Sequence, residues 1–596
     1  MEELVFFYNN RIAGCTSERD RMKKKISQTG TLRLLVAIAC AVTLWFCRNE
    51  GGAVIAGIAV GFAIPFVALM MFHTKLFARK ARAEELIKLN TNELNGLSCD
   101  FSAFDGAPEL ADMQHDFSAD LDLFGSQSMF QSINRTVTGM GKSRLAGWFT
   151  QPLTDRQSIE ERQEAIREMA TKPLFRQDFY VTGITQPDSG DPVEQLTSLA
   201  GQRTYFSDSR LWRILIWAVP VCWIIVLAGC IGTLFPLNVS GFMLVASLLI
   251  ANWKSKCILS MHRKVERMEK VLLTYSNLME TTENESFKSI MLKNARQQLT
   301  GSETASQAVK RLSRIIGALD QRFSLAGLLL NLFYLRDMRQ AMRLENWLQR
   351  NGSRFVQWFD ALASTDALCS LGGFAFNHPD YTYPTITDTC FCMEGKALGH
   401  PLLHREQCIR NDLNIRQYPY FVIITGANMA GKSTWLRTVG INFWLACIGA
   451  PVCAASLTVS PARLMTSLRT TDSLMASESY FYAELKRLKK MIDCLNQGEQ
   501  LFIILDEILK GTNSLDKQKG SLALMRQLIA KNACGLIATH DLALGVLEQE
   551  FPGQVRNFCF EADIIGDELT FSYRLREGLA QNMNAAFLMR KMGITM

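Results

Sequence analysis

The chain has 596 residues, 48% of them hydrophobic and only 20% charged, so it is long enough for several domains and carries apolar segments beyond ordinary cores. Its net charge of +7 permits an anionic partner without requiring one. Sixteen cysteines scattered without CxxC pairs, beside seven histidines, exclude a disulfide framework and a zinc pattern and point to reduced thiols in a cytosolic setting.

Residues 1–30 read as a polar, basic helix on the cytosolic side, and no cleavable signal peptide is evident. Thr31–Cys47 is apolar except for Arg33, the turn Arg48-Asn49-Glu50-Gly51-Gly52 follows, and Ala53–Phe72 is apolar without a charge. Two such runs joined by a tight turn predict a transmembrane hairpin over 31–75. Basic residues outside both runs (Arg19 to Lys25, then Lys75 to Arg82) put both ends in the cytoplasm. Residues 76–120 read as a linker, and 121–205 carry helical periodicity punctuated by Pro152, Pro173 and Pro187. A second hairpin is predicted over 206–256: Ile214–Leu234, a turn at Phe235-Pro236-Leu237-Asn238, and a shorter run to Trp253, with Trp212, Trp217, Trp223 and Trp253 as interfacial candidates. Residues 257–384 read as long helices. From Trp253 to Arg350 there are 17 Lys and Arg against 9 Asp and Glu, which concentrates the basic excess of the whole chain here. That excess fits either a nucleic-acid footprint or a helix face near an anionic membrane.

From residue 385 to 596 the texture becomes α/β, with apolar runs at Phe421–Ile424, Leu501–Leu505 and Cys534–Ala538 alternating with helices, which predicts a largely parallel sheet. Behind the first run, Gly426, four residues, Gly431, Lys432 and Ser433 fit the phosphate-loop pattern G-x-x-x-x-G-K-[ST]. The glycines let backbone N–H groups turn around an anion, and the following helix points its positive end at the same place. Lys432 is expected on the β- and γ-phosphates of ATP, and Ser433 on Mg²⁺. The second run ends in Asp506-Glu507: a strand-end aspartate beside a phosphate loop belongs on Mg²⁺, and Glu507 is placed to orient or deprotonate a water. The third ends in Thr539-His540, where a histidine can sense the γ-phosphate.

These stretches carry a resemblance. TGANMAGKST (Thr425–Thr434), LDEILKGTNSLD and the ATH motif look like the MutS family, mismatch-repair ATPases of the ABC-like class, with Asn428 and Met429 far more specific than the general loop pattern. Asn134-Arg135-Thr136-Val137-Thr138, Gly141-Lys142, Trp148, Gln151-Pro152-Leu153 and Ile159–Gln163 resemble the start of that family's core, or lever, domain. Gly399-His400-Pro401 and Asn411-Asp412 resemble the segment leading into its ATPase domain. The resemblance covers about residues 120–596. It implies an α/β P-loop ATPase domain of ABC-like type, C-terminal to an all-α core/lever domain; the two predicted transmembrane helical hairpins, read from hydropathy, are additions to that plan. It implies ATP held by Gly426, Ala427, Asn428, Met429, Ala430, Gly431, Lys432, Ser433 and Thr434, and Mg²⁺ on Ser433 and Asp506. Lys432, Glu507 and His540 would serve catalysis, and Ser479 would complete the site of a partner in a homodimer.

There are departures. The stretch Asp472–Phe481 keeps Ser479 and Phe481 but has Ser477-Glu478 where the family carries Gly-Gln, and Leu509 stands at a usual glycine position. The tail from Gly578 to Met589 lacks the family's Ser-Tyr-Gly motif. No Phe-x-Glu triplet, the family's mismatch wedge, occurs anywhere. The expectation is a multi-pass protein of the inner (cytoplasmic) membrane with its soluble domains in the cytoplasm, an ATP-driven dimer related to mismatch repair, with duplex DNA reached through the helical domain. The alternative is a membrane-tethered switch or scaffold that does not act on mismatches. A transporter is disfavoured because the hairpins carry no mid-span Asp or Glu.

Overall fold

The computed structural model describes the chain except for residues 185–191, 201–204, 389–390, 428, 469–479, 510–512, 566–567 and 582–596. It divides into two compact units, Met1–Phe104 and Asp105–Met596.

The first unit is a hairpin of two long helices, α1 (Glu2–Phe46) and α2 (Gly52–Leu97). Leu4, Tyr8, Cys15 and Met22 recur at four- and seven-residue spacing and are buried, as are Leu76, Ala83, Leu86 and Leu89 on α2, so the polar half of the hairpin is a zipped two-helix stem. Its apolar half leaves Leu34, Trp45, Phe46, Ile64 and Met71 exposed. Arg33, at the border of the two halves, reaches His73 Nδ1 at 3.0 Å and lies over the Phe66 ring. The turn falls where the sequence placed it. The basic segment 1–30, however, is one helix with the first apolar run, because no proline separates them, and α2 extends 22 residues into the stretch read as a linker from residue 76.

In the second unit the rest of that stretch is a strap on the α/β domain. Asp116 takes Arg463 at 2.8 Å and also Lys490, and Asp120 takes Arg487 at 3.2 Å. The helical part contains α3 (Gly139–Thr150), α4 (Arg156–Ala170), α5 (Arg210–Ile231), α6 (Leu237–Trp253), α7 (Ser255–Val265), α8 (Met268–Asn284), α9 (Ala305–Asp320), α10 (Leu325–Tyr334), α11 (Arg336–Asn351) and α12 (Phe355–Asn377). Helix α12 is the hub: nearly all of its turns are buried, and the buried Asp366 on it accepts from Val137 N, Thr138 N and Thr138 Oγ1. The Asn134–Thr138 motif is therefore a turn stapled to the hub. Among the described residues, three helices are long and apolar enough to cross a membrane, α1, α2 and α5, and a fourth if α6 and α7, bent by 51°, count as one span.

The α/β part has a six-stranded sheet with β1 (Tyr420–Gly426), β2 (Arg463–Ser467), β3 (Leu501–Asp506), β4 (Cys534–Thr539), β5 (Val555–Ile565) and β6 (Glu568–Glu577), in the spatial order β6-β5-β1-β4-β3-β2. All neighbours are parallel except β5 and β6. Helices α13 (Lys432–Cys447), α14 (Tyr480–Asn496) and α15 (Ser514–Ala530) complete the domain. Strand β4 is buried end to end, and β1 and β3 are buried except at Tyr420 and Asp506, which explains their unbroken apolar runs. A smaller four-stranded sheet (Thr385–Ile386, Ser456–Val459, Met393–Leu398, Asn411–Ile415) accompanies it, three of its strands preceding β1 and one falling between α13 and β2.

Candidate nucleotide site

The register of the sheet brings the expected groups level. Thr425 on β1 pairs with Thr539 on β4, and Ala538 on β4 pairs with Asp506 on β3. The phosphate loop, Asp506-Glu507 and His540 therefore share the carboxyl edge of the sheet, where open α/β sheets bind ligands.

The loop is shaped by two glycines that nothing else replaces. Gly426 has φ +148° and a Cβ there would lie 2.4 Å from the Phe560 carbonyl oxygen; Gly431 has φ +103° and caps α13 against the Tyr573 ring. Between them Ala427 and Ala430 are buried, while Met429 is exposed with φ +67°. Lys432 is buried, and its Nζ donates to the carbonyls of Gly426 at 2.8 Å and Ala427 at 2.9 Å. Ser433 Oγ donates to Asp506 Oδ2 at 2.5 Å. Glu507 has φ +50°, its N–H donates to Ala538 O, and its carboxylate contacts His540 Nε2. Ser433 and Thr434 are exposed at the mouth. Asn428 and Ser479, with the rest of the stretch 472–479, lie outside the described residues.

Beside the loop is a cavity of about 420 Å³, whose wall includes His400, Leu403, Gln407, Ile409, Asn411, Phe560 and Tyr573. None of these was assigned to the site from sequence, although His400 and Asn411 stood in the motifs quoted for the family. Asn411 ties the wall together: its Nδ2 donates to Tyr573 O and its Oδ1 accepts from Leu575 N. Burial, with Arg437 nearby, pushes the His400 imidazole down to about 4, so it is neutral and its Nδ1 accepts from Leu402 N. Cys408, between Gln407 and Ile409, is pulled down to about 6 by a hydrogen bond from Cys453, against its own burial, with His400 N and Arg410 assisting; the Cys453 thiol is pushed up in turn.

Behind Glu507 the chain makes a second left-handed turn. Leu509 has φ +59°, its N–H donates to Glu484 Oε1 at 2.7 Å, and its side chain packs against Gly520 of α15. The far end of α13 is joined to the helical part: Trp444 Nε1 donates to Phe149 O at 2.9 Å, Leu153 N to Cys447 O at 3.0 Å, and Arg162 lies over the Trp148 ring beside Gly449.

A phosphate loop at the edge of a parallel sheet, with a hydroxyl–carboxylate pair and a strand-end glutamate beside it, defines a phosphate-loop nucleotide-binding domain, here joined to a helical one. Family models match in both parts, MutS domain III over residues 113–372 and MutS domain V over 422–590, together more than half of the chain. The chain belongs to the MutS family, a family of ATPases. Among its relatives are the DNA mismatch repair protein MutS of Thermotoga neapolitana (31% identical over 243 residues, 40% of this chain and 30% of the relative) and that of Acetivibrio thermocellus (32% over 241 residues, 39% and 27%). Human MutS protein homolog 4 is 29% identical over 239 residues, 38% of this chain and 24% of the relative. The matched stretches thus span between about a quarter and a third of these relatives.

Proposed function

We propose that the chain is a membrane-tethered MutS-like ATPase that binds ATP with Mg²⁺ and turns hydrolysis into movement of its helical domain. The observation that carries this reading is the approach of Ser433 Oγ to Asp506 Oδ2, 2.5 Å apart at the mouth of the loop. The hydroxyl proton bridges these oxygens in the free protein, and the pair is the donor set a hard divalent cation accepts. Mg²⁺ bound there would supply charge neutralisation between the β- and γ-phosphates. Lys432 exchanges its two loop carbonyls for phosphate oxygens. Glu507 orients or deprotonates the attacking water, and His540 holds that carboxylate in place. Two copies pair, with Ser479 completing the site of the partner subunit. The apolar hairpins anchor the protein in the inner membrane with its soluble domains in the cytoplasm. Mismatch reading is not part of the proposal, because the Phe-x-Glu wedge is missing from the sequence; duplex DNA held by the helical domain is the output to be tested.

One observation favours a second reading, a nucleotide switch with slow turnover: Glu507 is already engaged by His540 and is followed by the left-handed Leu509. Detergent-purified protein decides between them. Turnover that Lys432→Ala abolishes supports the ATPase; tight ATP binding without turnover supports the switch; turnover unchanged by Lys432→Ala refutes the site. Binding to homoduplex, mismatched and branched DNA across a salt series tests the output, and no binding at low salt removes DNA from it.

A further inference from the structure

Helix α10, Leu325–Tyr334, reads LAGLLLNLFY and lies inside what the sequence presents as a soluble helical domain. A helix in such a domain hides its apolar side chains, but this one does not. Leu325, Leu328, Leu329, Leu330, Phe333 and Tyr334 are between 38% and 77% exposed. At 100° per residue they spread around most of the helix, so no single further helix could cover them. Its amide side chain, Asn331, accepts from Asp337 N.

The side that is packed leads to the second hairpin. Phe333 meets Trp223 of α5 edge to face at 4.7 Å, and Trp223 Nε1 donates to Ser247 Oγ of α6. The exposed surface of α10 therefore continues that of α5 and α6, where Ile224, Leu248 and Leu249 are also exposed. Both ends of α10 carry arginine. Arg322 forms a buried pair with Asp337 at 3.3 Å. Arg339 lies over the rings of Tyr334 and Trp217 and donates to the carbonyls of Tyr334 and Ile216. An apolar helix of about 15 Å seated beside an apolar hairpin, with the neighbouring guanidinium groups already held by the protein, presents a surface that an apolar medium covers, as the acyl region of a bilayer does.

We infer that α10 is a third lipid-contacting element, an interfacial helix that seats on hairpin α5–α6 and is covered by the bilayer. The inference rests on the reading that this hairpin enters a membrane. It gives part of the basic excess of residues 253–350 a specific place, since Lys254, Lys256 and Arg336 flank α6 or α10. It also fixes the ends of α9 and α11, which α10 connects, to the membrane surface.

The test places the photoreactive residue p-benzoylphenylalanine at Leu328, at Ile224 and at Ile290, the last exposed on the helix Ile290–Leu299. The full-length protein is reconstituted in nanodiscs of phosphatidylglycerol and phosphatidylcholine, illuminated, and assayed for lipid adducts by mass spectrometry. The expected result is lipid adducts of similar yield at 328 and 224 and none at 290. Adducts at 224 without adducts at 328 overturn the inference and leave the hairpin in the membrane. Adducts at neither overturn both. Adducts at all three show non-specific capture, and the inference then fails for want of any distinction between α10 and a soluble helix.

Discussion

Leu509 sets two ordinary effects against each other, and the structure says how large each is. The residue sits at φ +59°, where a leucine costs about 1–2 kcal/mol over the right-handed region. It is also 8% exposed and packs on Gly520, so truncating it costs about 2–4 kcal/mol of burial and cavity. Leu509→Ala suffers the full loss and keeps the strain. Leu509→Gly suffers the same loss, relieves the strain, and adds about 0.5–1 kcal/mol of unfolded-state entropy. Both variants are thus destabilised, but the glycine variant by about 0.5–1 kcal/mol less, the reverse of the usual order. For an α/β domain of this size the difference corresponds to about 1–4 °C in Tm. Scanning fluorimetry of the detergent-solubilised protein measures it through the domain's tryptophans. A glycine variant that melts below the alanine variant would refute the left-handed assignment and the strain argument with it.

Three further outcomes follow from the site. His400 is held neutral down to about 4, so the unfolded chain takes up its proton before the folded one does; stability is intact above the ordinary histidine range and falls as pH drops from about 6.5 toward 4. The loss is about 2 kcal/mol by pH 5, and a His400→Asn variant should show a flatter acid limb in Tm against pH. Cys408, lowered to about 6, should be the first of the described thiols alkylated by iodoacetamide at pH 7, with a rate that halves near pH 6, whereas Cys453 stays unmodified in the folded protein. Peptide mapping reads both. Ser433→Ala removes the hydroxyl beside Asp506 and should raise the Mg²⁺ concentration for half-maximal hydrolysis about tenfold, the equivalent of ~1.4 kcal/mol of ligation, while Ser433→Thr should stay within about twofold of the parent.

The nucleotide loop was legible because its chemistry is local: two glycines, a lysine and a hydroxyl fall within eight residues, and the almost fully buried strands beside it advertise themselves as apolar runs. Asp506, Glu507 and His540 were legible because a parallel sheet brings strand ends to one edge. The cavity wall was not, since His400 and Ile409 come from one short stretch before β1 and Tyr573 from a strand more than 160 residues later, and they meet through the small sheet and the β5–β6 hairpin. Nor was Asp366, a carboxylate in an apolar helix whose partners lie over 220 residues away. Helix α10 escaped for a different reason: a ten-residue apolar run has the same pattern whether a protein core or a bilayer covers it, and only its exposure separates the two.

The position of α13 gives the loop a mechanical reach. The helix is 16 residues, about 24 Å, with the phosphate loop at one end and Phe149, Leu153 and Arg162 of the helical part at the other. Trp444 is the strongest part of that joint, with its ring edge to face on Phe149 at 4.6 Å and its N–H on the Phe149 carbonyl. Trp444→Phe keeps a ring in the gap and removes the donor, leaving a buried carbonyl unpaired at a cost of about 1–3 kcal/mol. If α13 carries loop movement to α3 and α4, ATP should slow hydrogen exchange over residues 139–170 in the parent, and that effect should shrink in the variant while ATP affinity holds within about threefold. An equal ATP-dependent protection in both proteins would place the coupling elsewhere, for instance in the strap through Asp116 and Asp120 onto β2 and α14 or in the Gln163–Pro384 and Arg156–Asp388 contacts.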